Sequence, residues 1–173
     1  METIVLKKAA ATDAQDILNV IRKSFTQYAE AIHKEEGKIA ALKETEEDVI
    51  RDIHSKHVYI CQLDGETVGS VRFEVLDKGV AYLSRFAVDP EIQSLGIGGL
   101  ILEKVRIECL ALGMSAITLY TASKMRSTVS FYLKHGYYIH SITRNKDYIR
   151  AFMVNELKPM DELFDYESIV GDR

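Results

Sequence analysis

The sequence predicts an α/β protein in which a mixed sheet of about seven strands is flanked by about four helices. Runs rich in Val, Ile, Tyr and Phe predict the strands, while apolar stripes and capping residues predict the helices. The two kinds of segment follow the order βα(α)βββαβαββ, which is typical of a sheet covered by helices. Because 173 residues suit one domain, we expect a single domain over residues 1–157 and an acidic tail over residues 158–173.

The first part of the chain predicts one strand and two helices. Residues 4–10 predict the strand, and Thr12 with Gln15 predicts a capping box at the start of a helix. Five apolar residues at spacings of three and four give this helix a buried face: Ile17, Ile21, Phe25, Tyr28 and Ile32. Thr45 precedes three acids and predicts the start of the second helix, because acids stabilise the positive end of a helix dipole.

The middle of the chain predicts an antiparallel meander. Three segments have strand composition: residues 57–63, 66–76 and 80–88. Asp64-Gly65 between the first two is a strong signal for a two-residue hairpin. Strict alternation along the third strand would place all its even-numbered residues on one face and all its odd-numbered residues, including Arg85, on the other.

The rest of the chain predicts two helices and three strands. The first helix follows the glycines near residue 98, and its apolar stripe is Leu102, Val105, Cys109 and Leu112. A strand over 116–121 and a helix over 123–134, with Val129 and Leu133 facing inward, come next. Two strands close the domain, at residues 137–142 and 148–157. The acidic tail either frays or docks as a short helix through four apolar residues: Leu163, Phe164, Ile169 and Val170.

Composition and charge exclude several classes of protein. The net charge is −4, with 22 basic against 26 acidic residues, whereas a nucleic-acid-binding protein normally shows a basic patch, so we expect no nucleic-acid partner. No apolar run approaches the length of a membrane span, and the N-terminus does not resemble a signal peptide. We therefore expect no membrane partner. Cys61 and Cys109 are far apart and lie in apolar runs, so we expect two buried thiols in a cytoplasmic protein. The histidines have no recognised metal spacing, which predicts no metal site.

The most informative segment runs from the end of the third meander strand into the glycines. Free backbone amides and the helix dipole at such a helix start form an anion site that suits phosphate. The segment lacks the Gly-Lys-[Ser/Thr] of a Walker loop. It also departs from the dinucleotide fingerprint, because Ile101 stands where the third glycine would be required.

The pattern Gln93-x-x-Gly96-x-Gly98-Gly99 resembles the pyrophosphate loop of the GNAT superfamily, the acetyl-CoA-dependent N-acetyltransferases. The segment 131–137, Phe-Tyr-Leu-Lys-His-Gly-Tyr, is similar to a second signature of that superfamily. The resemblance covers roughly residues 4–157. It implies a GNAT-like, mostly antiparallel mixed sheet and transfer of an acetyl group from acetyl-CoA to a primary amine by direct attack in a ternary complex.

The resemblance also implies a role for individual residues. The pyrophosphate would bind the loop made of Gln93, Ser94, Leu95, Gly96, Ile97, Gly98 and Gly99. The pantetheine arm would lie along the backbone of Phe86, Ala87 and Val88, and the Val88 N–H would stabilise the oxyanion. Tyr132 would be the general acid that protonates the departing thiolate, and no metal takes part.

The resemblance does not identify the general base or the acceptor, and it does not decide whether the protein is catalytically active. Met125 stands where many members have Asn, and residues 83–86 lack the Glu that many members use as a base. Four residues are weak candidates for the base: Ser84, Tyr82, Glu74 and His33. The acceptor is a small-molecule or peptide amine, and a homodimer is possible. Residues 34–52 hold seven acids against four bases, which predicts either an acidic mouth for a cationic amine or a solvated helix face. The alternative function is an acyl-CoA-binding sensor or scaffold without turnover.

Overall fold

The computed structural model describes residues 2–144 and 147–173. The strands are β1 (Ile4–Lys8), β2 (His57–Leu63), β3 (Glu66–Val75), β4 (Val80–Val88), β5 (Ala116–Ala122), β6 (Tyr138–Arg144) and β7 (Ile149–Glu156). The α-helices are α1 (Ala14–Ala31), α2 (Glu46–Ser55), α3 (Ile97–Ala111), α4 (Arg126–Lys134) and α5 (Tyr166–Val170). In the described parts of the chain, no helix has both the length and the apolar character needed to cross a membrane.

The strands form one seven-stranded sheet in the order β1-β2-β3-β4-β5-β7-β6. Four pairings of known register are antiparallel: β1 with β2, β2 with β3, β5 with β7, and β6 with β7. The pairing of β4 with β5 is parallel and spans Val80 to Tyr82. The predicted fold class, a mixed and mostly antiparallel sheet with flanking helices, is therefore confirmed, and α5 adds one short helix to the four predicted.

The chain divides into two compact units. The first unit contains residues 2–73 and 85–104, and the second contains residues 74–84, 105–144 and 147–173. In the first unit, α1 and α2 pack on one face of β2, and the core includes Ile17, Ile21 and Ile60, which are all fully buried. In the second unit, α5 packs on β4, β5 and β7 through Tyr166 and Val170. The tail therefore docks as a short helix, although Leu163 is 89% exposed and does not take part.

Local sequence signals placed several elements correctly. Thr45 caps α2, since its hydroxyl accepts from the Asp48 N–H at 3.3 Å while the Asp48 carboxylate accepts from the Thr45 N–H at 2.9 Å. Asp64 and Gly65 both have positive φ, at 49° and 88°, as the tight β2–β3 turn requires. Each of these signals lies within a few residues, so it does not depend on the rest of the fold.

Three local predictions were wrong. The capping box at Thr12 and Gln15 does not form. Instead, a short 3-10 turn precedes α1, and the Ala10 N–H donates to the Asp13 carboxylate at 2.8 Å. Leu112 and Leu133 are exposed, because α3 ends at Ala111 and because α4 buries Tyr132. Near a helix end, the spacing of apolar residues no longer predicts which side chains are buried, because the backbone leaves the helical conformation.

The alternation predicted for β4 fails at Arg85. Near one end of the β3–β4 ladder the Leu76 N–H donates to the Val80 carbonyl, and near the other end the Asp89 N–H donates to the Val68 carbonyl. Between these bonds β4 has one residue more than β3, which is a β-bulge. Arg85 lies between these two bonds and has φ +50°, a left-handed conformation, which points to this residue as the place of the bulge.

A buried ion network joins four elements of the first unit. Arg72 of β3 is 1% exposed and donates to Asp52 of α2 at 2.6 Å. It also binds both oxygens of Glu44, at 3.1 and 2.8 Å, from the segment before α2. The Nε of Arg85 donates to the same Glu44 carboxylate at 2.6 Å. One carboxylate thus holds two guanidinium groups, which fixes the bulge of β4 against the segment between α1 and α2.

We expect Glu44→Gln to lower the free energy of unfolding by about 3 kcal/mol, because a buried guanidinium that loses its partner keeps its desolvation cost. Glu47→Gln removes an exposed acid from the first turn of α2 and should change stability by less than about 1 kcal/mol. Urea denaturation followed by circular dichroism measures both. Equal effects of the two substitutions would contradict a structural role for the buried network.

Candidate functional site

The candidate site begins on the last residues of β4, which the structure packs tightly. Ala87 is fully buried and Val88 nearly so. Gly69 of β3 lies so close to this strand that a Cβ atom there would be 3.3 Å from the Ala87 carbonyl oxygen. The same atom would be 2.6 Å from the Ile101 Cδ1 of α3, so any side chain at position 69 would force its neighbours to shift. The backbone of residues 86–88 is therefore held in place from the side of β3.

Asp89 fixes the turn that follows β4. Its carboxylate accepts from the Glu91 N–H at 3.1 Å, which caps a 3-10 helix over Pro90–Leu95, and from Lys23 of α1 at 2.7 Å. Burial opposes the ionisation of Asp89, but the hydrogen bonds from Lys23 and from the Glu91 amide outweigh it, so the pKa of Asp89 lies below its ordinary value. The hydrogen bond with Asp89 raises the pKa of Lys23 in turn. The pair is ionised at neutral pH and connects α1 to the loop.

The predicted pyrophosphate loop is exposed from Gln93 to Gly96 and reverses direction at Gly96. Gly96 has φ +74°, a left-handed conformation that glycine adopts without strain, and it separates the 3-10 helix from α3. No atom would lie within 4 Å of a Cβ at Gly96, so its conformation rather than crowding requires glycine there. The Gln93 side chain donates to Gln27 of α1 at 3.4 Å.

The first turn of α3 supplies the donors for an anion. In an α-helix the first N–H groups have no intrahelical acceptor, and in α3 the first such bond is made by the Leu100 N–H to the Gly96 carbonyl at 3.3 Å. The N–H groups of Ile97, Gly98 and Gly99 precede it. Ile97 is fully buried and anchors the turn, while two glycines leave no side chain in the way of a ligand. This arrangement fits the pyrophosphate of a nucleotide cofactor.

Tyr132, the predicted general acid, lies on α4 in the second unit. It is 5% exposed, and its ring makes edge contacts with Phe131 and Tyr137 at centroid distances of 5.4 Å. Burial, with a smaller effect of Tyr82, raises the pKa of Tyr132 above its ordinary value. The hydroxyl is therefore protonated at neutral pH, as a proton donor must be. Residues 86–88 and 93–99 both lie in the first unit. Their roles in binding, like the role of Tyr132, stay predictions.

The two cysteines are poor candidates for chemistry. Cys61 and Cys109 are buried free thiols, and burial, with a smaller effect of Glu108, raises the pKa of Cys109 to about 12. A thiol in that state is a poor nucleophile. Within residues 2–144 and 147–173, no group of three or more His, Cys, Asp or Glu side chains could hold a metal ion.

Sequence reasoning missed the cluster of Glu44, Arg72 and Arg85. One signal was present: Arg72 stands between Val71 and Phe73 in a strand whose neighbours are apolar. A charged residue at such a position needs a buried partner. The partner lies 28 residues earlier in the chain, so no local pattern could identify it.

Comparison with known proteins identifies a family. The family model described as "Acetyltransferase (GNAT) family" matches residues 17–137. This range includes the glycine loop, Tyr132 and all of β2 to β5. A comparison of the sequence with curated proteins gives no match.

Solved structures of acetyltransferases share the fold. The PaiA N-acetyltransferase from Thermoplasma acidophilum in complex with coenzyme A has a TM-score of 0.78 at 21% identity, covering 89% of this chain and 99% of that one. A GNAT-family acetyltransferase from Streptococcus pneumoniae has a TM-score of 0.71 at 15% identity, covering 90% and 100%. A GNAT-family acetyltransferase from Elizabethkingia anophelis with acetyl-CoA bound has a TM-score of 0.66 at 16% identity, covering 89% and 98%.

We expect Asp89→Asn to lower the free energy of unfolding at pH 7 by about 1 kcal/mol, because the charged bond to Lys23 is lost while the Asn oxygen can still accept from the Glu91 N–H. The folded-state pKa of Asp89 is depressed, so its contribution is complete above the unfolded value of about 3.9 and is lost as the pH falls through the folded value. The difference between wild type and variant should therefore shrink below about pH 4.

Chemical denaturation between pH 3 and pH 8 measures this difference. Asp16→Asn, on the exposed face of α1, is the matched control and should have only a small effect on stability. A difference for Asp89→Asn that stays constant down to pH 3 would contradict the ion pair.

Proposed function

Because the chain belongs to the acetyltransferase (GNAT) family, we propose that it transfers an acetyl group from acetyl-CoA to a primary amine of a small-molecule or peptide acceptor. The amine attacks the thioester directly while both substrates are bound. One observation carries this proposal. After β4 the chain makes a capped turn, reverses at the left-handed Gly96 and starts α3, so that the amides of residues 97–99 face a possible anion site.

Acetyl-CoA would bind through backbone groups of the first unit. The pyrophosphate accepts hydrogen bonds from amides between Gln93 and Gly99. The pantetheine arm, which carries two amide groups, lies along Phe86, Ala87 and Val88 in the manner of an added strand. Lys23 and Asp89 support this arrangement because their ion pair holds the turn between the two binding segments.

The thioester chemistry needs a donor for the negative charge on the carbonyl oxygen. As the amine nitrogen bonds to the carbonyl carbon, the oxygen becomes an oxyanion, which the Val88 N–H stabilises. Removing a donor of this kind typically reduces the rate by two to three orders of magnitude. The packing of Gly69 against Ala87 supports the assignment, because it leaves the backbone of β4 little freedom to move.

The carbon–sulfur bond then breaks, and the departing sulfur takes a proton from Tyr132. Free thiols have a pKa of about 8.5, so the thiolate is a moderate leaving group that gains from a nearby donor. Burial keeps the proton on the Tyr132 oxygen in the resting enzyme. The attacking nitrogen loses its own proton to solvent, and the Tyr132 phenolate takes a proton back from solvent, so the enzyme returns to its starting state. A lysine-like amine, with a pKa of about 10.4, is mostly protonated at neutral pH and must first be deprotonated.

A thiol-release assay with acetyl-CoA across a panel of amines tests the proposal, run beside a calorimetric titration of CoA binding. We expect the protein to bind CoA and to release free thiol from acetyl-CoA with one class of amine. CoA binding without release from any amine would favour a sensor or scaffold over an enzyme. Absence of CoA binding would overturn the account of the loop.

We expect Tyr132→Phe to lower kcat about 100-fold, because it removes the proton donor to sulfur, while CoA affinity stays within a few fold. Tyr137→Phe is the matched control, since Tyr137 is equally buried and packs against the same ring. It should leave kcat within a few fold of wild type. Equal losses in both variants would show that packing, and not proton donation, explains the effect.

The pH dependence of kcat/KM gives a separate test. Deprotonation of the acceptor makes the rate rise with pH, and a donor with a raised pKa stays protonated, so we expect no descending limb below about pH 10. A descending limb with a midpoint below about pH 9 in wild type, absent from Tyr132→Phe, would contradict the raised pKa of this hydroxyl.

A further inference from the structure

In the buried ion network, the Nη edge of the Arg85 guanidinium group makes no hydrogen bond to any described residue. The Nε of Arg85 donates to Glu44 at 2.6 Å. Within the described residues, the two Nη groups of Arg85 have no hydrogen-bond partner. The side chain is 27% exposed, so a ligand in solvent can reach them. Acetyl transfer, as proposed above, assigns no role to this guanidinium group.

The guanidinium group of Arg85 is held in a defined position. Its partner Glu44 is bound through both oxygens by Arg72, which is itself buried and anchored to Asp52. The backbone of Arg85 has φ +50° in the bulge of β4, a conformation that long side chains rarely adopt. Such strain persists when the surrounding structure imposes it, and it is concentrated at binding and active sites. A solvent-exposed arginine with only a surface role would need neither feature.

The open edge of Arg85 matches a carboxylate. The two Nη groups present parallel N–H bonds in one plane, and this fork binds the two oxygens of a carboxylate with charge-assisted hydrogen bonds. Asp52 also binds Lys56 at 3.2 Å, so three cations, Arg72, Arg85 and Lys56, share the carboxylates of Glu44 and Asp52. A ligand carboxylate adds negative charge beside these cations, whereas a purely cationic amine would place positive charge beside a guanidinium group.

We propose that the acceptor is an amine that carries a free carboxylate, such as an amino acid or a short peptide, and that the carboxylate binds the Nη edge of Arg85. This inference rests on the proposed acetyl transfer. Arg85 directly precedes Phe86–Val88 on β4, and three residues of strand span roughly 10 Å. The backbone of Arg85 therefore lies about 10 Å along β4 from the Val88 N–H that is proposed to bind the thioester oxygen.

The first test changes only the acceptor. Amino acids are screened in the thiol-release assay, and the best one is compared with its carboxamide and with the amine that lacks the carboxylate. We expect kcat/KM for the free acid to exceed both by about 10- to 100-fold, as the loss of a charge-assisted hydrogen-bond pair implies. Equal or better turnover of the amide, or of a polyamine, overturns the inference.

The second test removes the guanidinium group without disturbing the bulge. Arg85→Gly suits this purpose because glycine adopts positive φ freely and because Glu44 stays bound to Arg72. We expect the melting temperature to fall because the bond to Glu44 is lost, but the variant should stay folded and its CoA affinity should stay near wild type, while the preference for the acid over the amide falls to within about threefold. Arg85→Lys keeps the charge but not the fork and should retain only part of the preference.

Arg51→Gln is the matched control, since it also removes one arginine, from the exposed face of α2. It should leave the preference unchanged. A preference that survives in Arg85→Gly, or that is lost equally in Arg51→Gln, overturns the role of Arg85. Failure of the underlying function is distinguishable, because it would show as no thiol release with any amine. Thiol release that is equally fast with acceptors that have and that lack a carboxylate contradicts only the proposed role of Arg85.

Discussion

The Glu44 carboxylate is the interaction on which the first unit depends. Arg72 is buried in the sheet, and a buried guanidinium group is stable only when its hydrogen bonds are made. Glu44, from the segment before α2, and Asp52, from α2 itself, accept hydrogen bonds from its two Nη groups. Because Glu44 also binds Arg85, one carboxylate joins β3, β4 and the helical segment. The positions of these elements therefore follow from the need to satisfy one buried charge.

The bulge at Arg85 connects this network to the proposed cofactor site. An extra residue in β4 changes which side chains face the helices, so Ala87 packs in the core of the first unit. The following residues then run into the Asp89 cap, the Gly96 turn and the start of α3. A continuous chain of about fifteen residues thus holds a strained arginine, a backbone strand and a helix start, each fixed by a different contact.

The protein carries a net negative charge, yet the proposed cofactor is an anion. The structure is consistent with both facts, because the donors at the start of α3 are backbone amides and need no lysine or arginine. The cations of the first unit are occupied elsewhere: Lys23 stabilises Asp89, and Arg72 stabilises Glu44 and Asp52. Of the two arginines in the ion network, Arg85 is the one that is held in a fixed position and still has an Nη edge unpaired among the described residues. This is why the proposal assigns it the acceptor's carboxylate.

The sequence by itself determined the fold class, most element positions and the glycine loop, because periodicity, caps and tight turns depend on residues close together in the chain. It also singled out Tyr132 through a resemblance. It could not determine the bulge, since Arg85 looks like one more alternating residue until β3 and β4 are paired. Nor could it find the partners of Arg72, because Glu44 is 28 residues away in sequence. Only tertiary structure brings such residues together, and it alone decided which charges are buried and which edge of Arg85 stays open.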